Sequence, residues 1–237
     1  MPTQWTTFPV EFKGGLISNM SPLQQGINAI GSSTVLQNME SDRQGGYTKI
    51  KGYEKFSSTL IPGTGKILGL HVVSGGRAVV ARKVNQAAID ATAALSSGDL
   101  NKTAYYFGTG TSWTHMATAA QTGGGKAYKA SFNFTGDDKV VFVDGLNYPG
   151  IYSTSGNTMS FLSSSSPNIS TDVQGAELVS IFKNHAFYSK GQTLTFSVPS
   201  TVDNFNTGAG AGSINVGNTV TGMAVFREQL IVFTKDS

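Results

Sequence analysis

Pairs of short apolar segments joined by tight polar turns recur along the chain. The clearest pair lies at 223–226 and 230–233, with the polar turn Arg227-Glu228-Gln229 between its members. Two such segments separated by a few turn-forming residues predict a β-hairpin. Similar hairpins are predicted at 67–83, 129–144 and 178–190, with turns at Ser74-Gly75-Gly76, Gly136-Asp137-Asp138 and Lys183-Asn184-His185. The pattern is therefore organised around four hairpins.

The spacing of the hairpins indicates a structural repeat. Their turn centres lie roughly 61, 47 and 44 residues apart, close to the ~40–50 residues of a propeller blade once an insertion at 85–103 is allowed for. Weaker strand candidates lie between the hairpins, at 150–153, 194–198 and 214–216. About four strands per repeat result, as a blade requires. Residues 57–237 are therefore predicted to form an all-β array of β-propeller-like blades. A β-sandwich is the alternative, since it also has short, regularly spaced strands.

Residues 1–56 follow a different pattern. Glycines and Pro22 break this segment every few residues, which excludes a long helix. The stretch 47–53 alternates between apolar and polar residues, which predicts a half-buried strand presenting Tyr47 to a core, with Ile50 as a second candidate. We interpret 1–56 as an extended arm that packs on or between other units, and an irregular start to the same domain is the alternative.

Composition narrows the range of functions. Charged residues make up only 13% of the 237 residues, and the net charge of +3 is too small to indicate a nucleic-acid binder. The sequence contains no cysteine, which excludes disulfides, thiolate metal sites and a cysteine nucleophile. No window approaches the ~20 apolar residues of a membrane span, and 1–20 lack the apolar core of a signal peptide.

Candidate catalytic groups are scattered. His71, His115 and His185 lie far apart and outside any metal-binding spacing. Two acids at 137–138 follow a glycine, as turn residues commonly do. The Gly-rich run 123–126 lacks the residues that a phosphate-binding loop needs before and after it. The sequence therefore predicts no enzyme, no cofactor and no metal.

The order of elements in the N-terminal segment is distinctive. FKGGLISNMSPLQQG at 12–26 is followed by LQNME at 36–40 and by GGYTKIKGY at 45–53. These segments resemble the opening of the tail tubular protein B or nozzle-like proteins of short-tailed bacteriophages, in which such an arm precedes a β-propeller. The segment 222–236 looks like one of the blade hairpins of that family.

The resemblance implies a non-enzymatic structural protein of the virion, assembled in the host cytoplasm. Copies of such proteins form a homo-oligomeric ring, typically of six, in the tail nozzle or neck. The ring is joined to the portal and adaptor complex and to other tail proteins. Double-stranded DNA passes through it during ejection without sequence-specific binding. Candidate contacts to the lumen or to a partner are Lys13, Arg43, Lys49 and Lys51, with ordinary solvated charge as the alternative.

The end of the chain departs from the family pattern. The strands of the last hairpin are apolar, and nothing follows to cover their outer edge. We expect the chain to end within the propeller, its remaining strands lying in an absent part of the polypeptide or in another chain. A shortened family member without a closed propeller is a further alternative.

Two other functions compete with the structural one. The first is a glycan-binding propeller module of a tail fibre or surface protein, with Trp5, Trp113, Tyr105 and Tyr106 as stacking platforms. The second is a hydrolytic propeller, suggested by the 110–113 segment, which resembles the tail of an Asp-box. Gly108 stands where the acid of that motif would be, and the chain has only four arginines, which argues against hydrolysis.

Overall fold

The computed structural model describes residues 14–17, 19, 31–33, 35–41, 46–52, 54–134, 136–166 and 168–235. Over these residues the protein is all-β and divides into two units, Met1–Lys55 and Phe56–Ser237. We call the first the arm unit and the second the sheet unit.

The described part of the arm unit contains two pairs of short strands. β1 (Gly15–Leu16) runs parallel to β2 (Ser32–Ser33), and β3 (Met39–Ser41) runs antiparallel to β4 (Tyr47–Lys49). Gly15 has φ +75°, and a Cβ there would lie 2.9 Å from the Tyr47 hydroxyl. Glycine at 15 is thus required both by its backbone conformation and by the close approach of Tyr47.

The described part of the sheet unit contains three four-stranded antiparallel sheets and a hairpin, each built from consecutive strands. Sheet 1 consists of β5 (Ile67–Val73), β6 (Arg77–Lys83), β7 (Lys102–Gly108) and β8 (Trp113–Thr122). Sheet 2 consists of β9 (Tyr128–Phe134), β10 (Asp137–Val143), β11 (Gly150–Ser153) and β12 (Thr158–Phe161). Sheet 3 consists of β13 (Leu178–Phe182), β14 (His185–Lys190), β15 (Thr193–Phe196) and β16 (Gly212–Asn215). The fourth hairpin consists of β17 (Val220–Phe226) and β18 (Gln229–Thr234).

This architecture confirms the prediction of an all-β array of small antiparallel sheets, consistent with incomplete propeller blades or with a sandwich, and each predicted hairpin supplies the first two strands of one sheet or of the last hairpin. The turns are shorter than predicted. Asp137 and Asp138 already belong to β10, His185 begins β14 and Gln229 begins β18. The turn residues of the last hairpin, Arg227 and Glu228, both have positive φ, as the two-residue turns that suit the twist of a hairpin require.

The Ala-rich stretch 87–95 of the insertion between β6 and β7 is compatible in sequence with one short helix or with a long hairpin, and the insertion forms the short helix. α1 (Gln86–Ala91) begins after Asn85, whose side chain accepts a hydrogen bond from the Ala88 N–H. A single 3₁₀ turn follows at Ser97–Asp99. Ala88 and Leu95 pack with Tyr106 of β7, so the insertion covers part of one face of sheet 1.

Successive sheets pack face to face, and β10 shows how. Val140 and Phe142 belong to a core shared with sheet 1, whereas Val141 and Val143 belong to a core shared with sheet 3. Because neighbouring residues of a strand point to opposite faces, sheet 2 is covered on both sides. The first strands of the repeats also contact one another in order, β5 with β9, β9 with β13 and β13 with β17.

Candidate functional site

Two of the four predicted contact residues lie within the described part of the arm unit. Lys49 is the last residue of β4, opposite Met39 in the register, and its side chain is exposed. Lys51 is also exposed, two residues further on. Lys13 and Arg43 lie outside the described residues. The structure thus places two accessible ammonium groups on one short stretch of the arm.

Nearby, Tyr47 is half-buried and lines a cavity of about 250 Å³ within the arm unit, together with Val35 and Met39. Ile50, the second candidate for burial, is exposed instead. The alternation at 47–53 therefore predicts the buried face at Tyr47 and fails for Ile50.

The three histidines have separate structural surroundings. His115 Nε2 lies 2.9 Å from the Thr118 hydroxyl, and its ring packs edge-on against Tyr106. His185 Nδ1 lies 2.6 Å from the carbonyl oxygen of Ser197, so this nitrogen carries the donated proton. Within the described part of the chain, no group of three or more His, Asp or Glu residues is placed to hold a metal ion.

His71 faces a groove of about 200 Å³ between β5 and sheet 2, which Ser131, Asn133 and Asp138 also line. Burial lowers the pKa of its imidazole, and the nearby Lys129 ammonium lowers that pKa further. The ring is consequently neutral at pH 7. A neutral imidazole in an open groove can accept or donate one hydrogen bond. The Asp138 carboxylate, which also lines the groove, accepts a hydrogen bond from the Asn133 side chain instead of orienting the imidazole as a base.

The two acids that follow Gly136 hold their own sheet together. Asp137 accepts hydrogen bonds from the Ser153 hydroxyl at 2.8 Å and from the Ser155 N–H at 3.3 Å. Asp138 accepts one from the Asn133 side chain at 2.8 Å. Their role in fixing the strands and turns of sheet 2 agrees with the interpretation as turn chemistry.

The Gly-rich run after β8 lies against a buried polar turn that the sequence does not reveal. Asp144 is buried and accepts hydrogen bonds from the backbone of Leu146 and from both the backbone and side chain of Asn147. The Asn147 side-chain oxygen in turn accepts from the Gln121 N–H of β8. A Cβ at Gly124 would overlap the Asp144 carboxylate. The run therefore serves close packing between sheets rather than phosphate binding.

The aromatic residues proposed as stacking platforms are mostly inaccessible. Tyr105 and Tyr106 are both almost completely buried, and they lie in two different cores on opposite faces of sheet 1. Trp113 packs on Gly108 and contacts the Phe56 ring, while its indole N–H donates to the Thr59 carbonyl at 3.2 Å. Trp5 lies outside the described residues. Of the described residues of this set, Trp113 alone keeps a partly open ring.

Two uncovered apolar faces are the features of the sheet unit that residue-by-residue motif analysis missed. One lies on β5, where Leu70 and Val72 are exposed beside Phe56 and Ile67. These residues border an apolar hollow of about 280 Å³. The other lies on the fourth hairpin, at Phe226, Ile231 and Phe233. The sequence of the hairpins predicts both faces, because apolar residues lie on both sides of these strands.

Comparison with known proteins gives no match to a family model, a curated protein or a solved structure. The fold alone therefore defines the class, an all-β protein of consecutive antiparallel sheets. Among the described residues, no helix has the length and apolar character needed to cross a membrane.

Proposed function

We propose that this protein is a non-enzymatic structural component of a tailed-phage virion, forming a ring in the tail nozzle or neck through which DNA passes. Its partners would be further copies of itself, the portal and adaptor complex and other tail proteins. The observation that carries the proposal is the succession of blade-like sheets directly after the arm whose glycine-broken sequence resembles that family.

The use of the polar side chains supports a structural role. Asp137, Asp138 and Asp144 are all engaged in hydrogen bonds that join strands or turns. General acid–base or nucleophilic catalysis needs converging partners instead. His115 and His185 likewise lie against neighbouring hydroxyl and carbonyl groups.

The charge of the chain supports a conduit that does not hold DNA tightly. Each phosphate contact by Lys or Arg adds affinity, so a strongly basic lumen would retain the DNA during passage. A net charge of +3 over 237 residues avoids this. The exposed Lys49 and Lys51 would then serve contact with a neighbouring protein or a weak interaction with the backbone of passing DNA.

The proposal is tested by electron microscopy and light scattering of the purified full chain. We expect ring-shaped particles with a central opening and a mass that is an integral multiple of 24.9 kDa. A chain that stays monomeric at every concentration and is not incorporated into phage particles would contradict the proposal.

Charge reversal tests the contribution of the arm. Lys49→Glu combined with Lys51→Glu is expected to reduce ring formation, because both ammonium groups are exposed on the arm unit. Lys126→Glu combined with Lys190→Glu makes the same charge change at exposed residues of the sheet unit and serves as the matched control. Rings that form equally with both double variants would remove Lys49 and Lys51 from the assembly surface.

A further inference from the structure

In the second strand of each repeat, successive side chains point in turn toward the preceding sheet and toward the following sheet. On β10, Val140 faces sheet 1 and Val141 faces sheet 3. On β14, Ala186 and Tyr188 pack in the core shared with sheet 2. We call the side toward the preceding sheet backward and the side toward the following sheet forward. In β10 and β14, the first and third residues after the strand pair next to the turn face backward. The second and fourth residues after that pair face forward.

The same alternation of side chains holds in sheet 1, the first sheet of the stack. Its forward residues, Val79 and Ala81, pack in the core shared with sheet 2. Its backward face contains Val80 and, opposite it on β5, Leu70. Leu70 is 50% exposed and Val72 is 64% exposed, so the β5 part of this backward face is bare.

The insertion covers only the outer part of that backward face. Ala88 of α1 and Leu95 pack against Ala104 and Tyr106 of β7. The inner part, along β5, is bordered by Phe56 and remains open as an apolar hollow. The uncovered part of this backward face therefore lies along β5 and does not extend across the complete four-stranded sheet.

The same alternation of side chains holds in the fourth hairpin, which follows sheet 3. Leu230 and Val232, its backward residues on β18, are half-buried, and β17 contacts β13 of sheet 3. Its forward residues, Ile231 and Phe233, are 37% and 51% exposed. Phe226 extends the same exposed face toward the turn, because it pairs with Gln229 in the register.

We propose that the forward face of the fourth hairpin in one copy docks on the bare backward face of sheet 1 in a second copy. This contact would continue the packing that joins sheet 1 to sheet 2 and sheet 2 to sheet 3 within the chain. A two-stranded hairpin also suits the part of this face, along β5, that α1 leaves open. Both faces are exposed in this structure, so neither covers the other within one copy.

The proposed contact is head to tail, since two different surfaces meet. Such contacts form a closed ring when their rotation closes and an open filament when it does not. The contact does not depend on a role in a virion.

Cross-linking tests which faces meet. The chain has no cysteine, so Val72→Cys and Phe233→Cys each provide a single thiol. Packed sheets lie about 10 Å apart, and a short bismaleimide of that reach joins thiols across the contact. The mixture of the two variants is expected to give cross-linked dimers, and each variant alone is expected to give few.

The control for this experiment mixes Val72→Cys with Gln192→Cys, a variant at an exposed loop residue of sheet 3. The proposal is overturned if the mixture of Val72→Cys and Phe233→Cys cross-links no better than this control. It is equally overturned if Phe233→Cys alone cross-links as well as the mixture, because the contact would then join two like faces.

Light scattering over a concentration series tests whether the contact assembles the native chain. The unmodified protein is expected to reach the mass of two or more copies, and Val72→Lys or Phe233→Lys to weaken this association by about tenfold or more, since an unpaired ammonium would be buried. Leu100→Lys, at an exposed leucine on neither face, is expected to change nothing. Circular dichroism verifies that all variants are folded. A monomer at every concentration, or equal behaviour of the three variants, would rule out the contact.

Discussion

Sheet 2 and the fourth hairpin follow the same alternating pattern but differ in what covers them. In sheet 2, Val140 and Val141 are both fully buried, since a sheet packs on either face. In the hairpin, Val232 is half-buried whereas Phe233 is half exposed. The contrast teaches that burial in this fold depends on the neighbouring repeat and not on the hydrophobicity of the strand itself.

Truncating one phenylalanine in each region gives the largest expected contrast. Phe142→Ala removes a buried ring that packs edge-on against Tyr105, and should lower the free energy of unfolding by about 3–5 kcal/mol. Phe233→Ala, measured on the dilute monomer, should lower it by less than about 1 kcal/mol. Urea denaturation with circular dichroism measures both. Equal losses would mean that the hairpin face is covered in the free chain.

The junction of sheets 1 and 2 provides the next largest effect. Gly124→Ala forces a methyl group against the Asp144 carboxylate, and should lower the free energy of unfolding by about 1–3 kcal/mol. Gly125→Ala is the matched control, because its Cβ would lie 3.5 Å from the nearest atom, an ordinary contact. Thermal unfolding compares the two variants. A large loss for both would point to the backbone of the run, not to Asp144.

Removing the backbone strain in the turn of the fourth hairpin should stabilise the protein modestly. Glu228 has φ +62°, a conformation that costs an ordinary side chain about 1–2 kcal/mol, so Glu228→Gly should recover part of that. Asn184→Gly, at φ +65° in the corresponding turn of sheet 3, should gain less because asparagine tolerates this conformation. Melting temperatures measure both changes, and a larger gain at 184 would contradict this ranking.

Lowering the pH should have the smallest effect, and it acts on the covered side of β5. Burial and Lys129 lower the pKa of His71, so the unfolded chain takes up a proton at higher pH than the folded chain does. The free energy of unfolding should therefore fall as the pH decreases below about 6.5, the unfolded value, until the lowered folded pKa is passed. Urea midpoints measured from pH 7.5 to 5 should show a shallower decline for His71→Gln, and an unchanged decline would exclude this residue.

Much of the fold follows from local pattern. The turns at Gly75-Gly76 and at Arg227-Glu228 separate apolar runs, so strand pairing is readable without knowledge of the rest of the chain. The insertion could be limited to a helix or a hairpin, but Asn85 as its N-cap is evident only once the helix is known. Which face of each hairpin is covered also follows from alternation, provided that the order of the sheets is given.

The candidate site was much less predictable. Tyr105 and Tyr106 resemble exposed stacking residues in sequence, but strand alternation places them in two different cores. Asp144 and Asn147 carry the signal of a turn, yet Asn147 also accepts a hydrogen bond from Gln121, which is distant in sequence. Lys49 and Lys51 are exposed, as solvated charges usually are, and exposure alone does not reveal a partner.

The order of strands also has a consequence for synthesis on the ribosome. Each sheet consists of consecutive strands, so sheet 1 is complete once residue 122 has emerged and sheet 2 once residue 161 has emerged. Domains and repeats with local pairing can fold as they appear, N-terminal part first. Each new sheet would then be laid down on a finished one, and an uncovered forward face would exist throughout translation. The forward face of Phe226, Ile231 and Phe233 is still exposed in the folded chain, which makes these three side chains natural targets for chaperones.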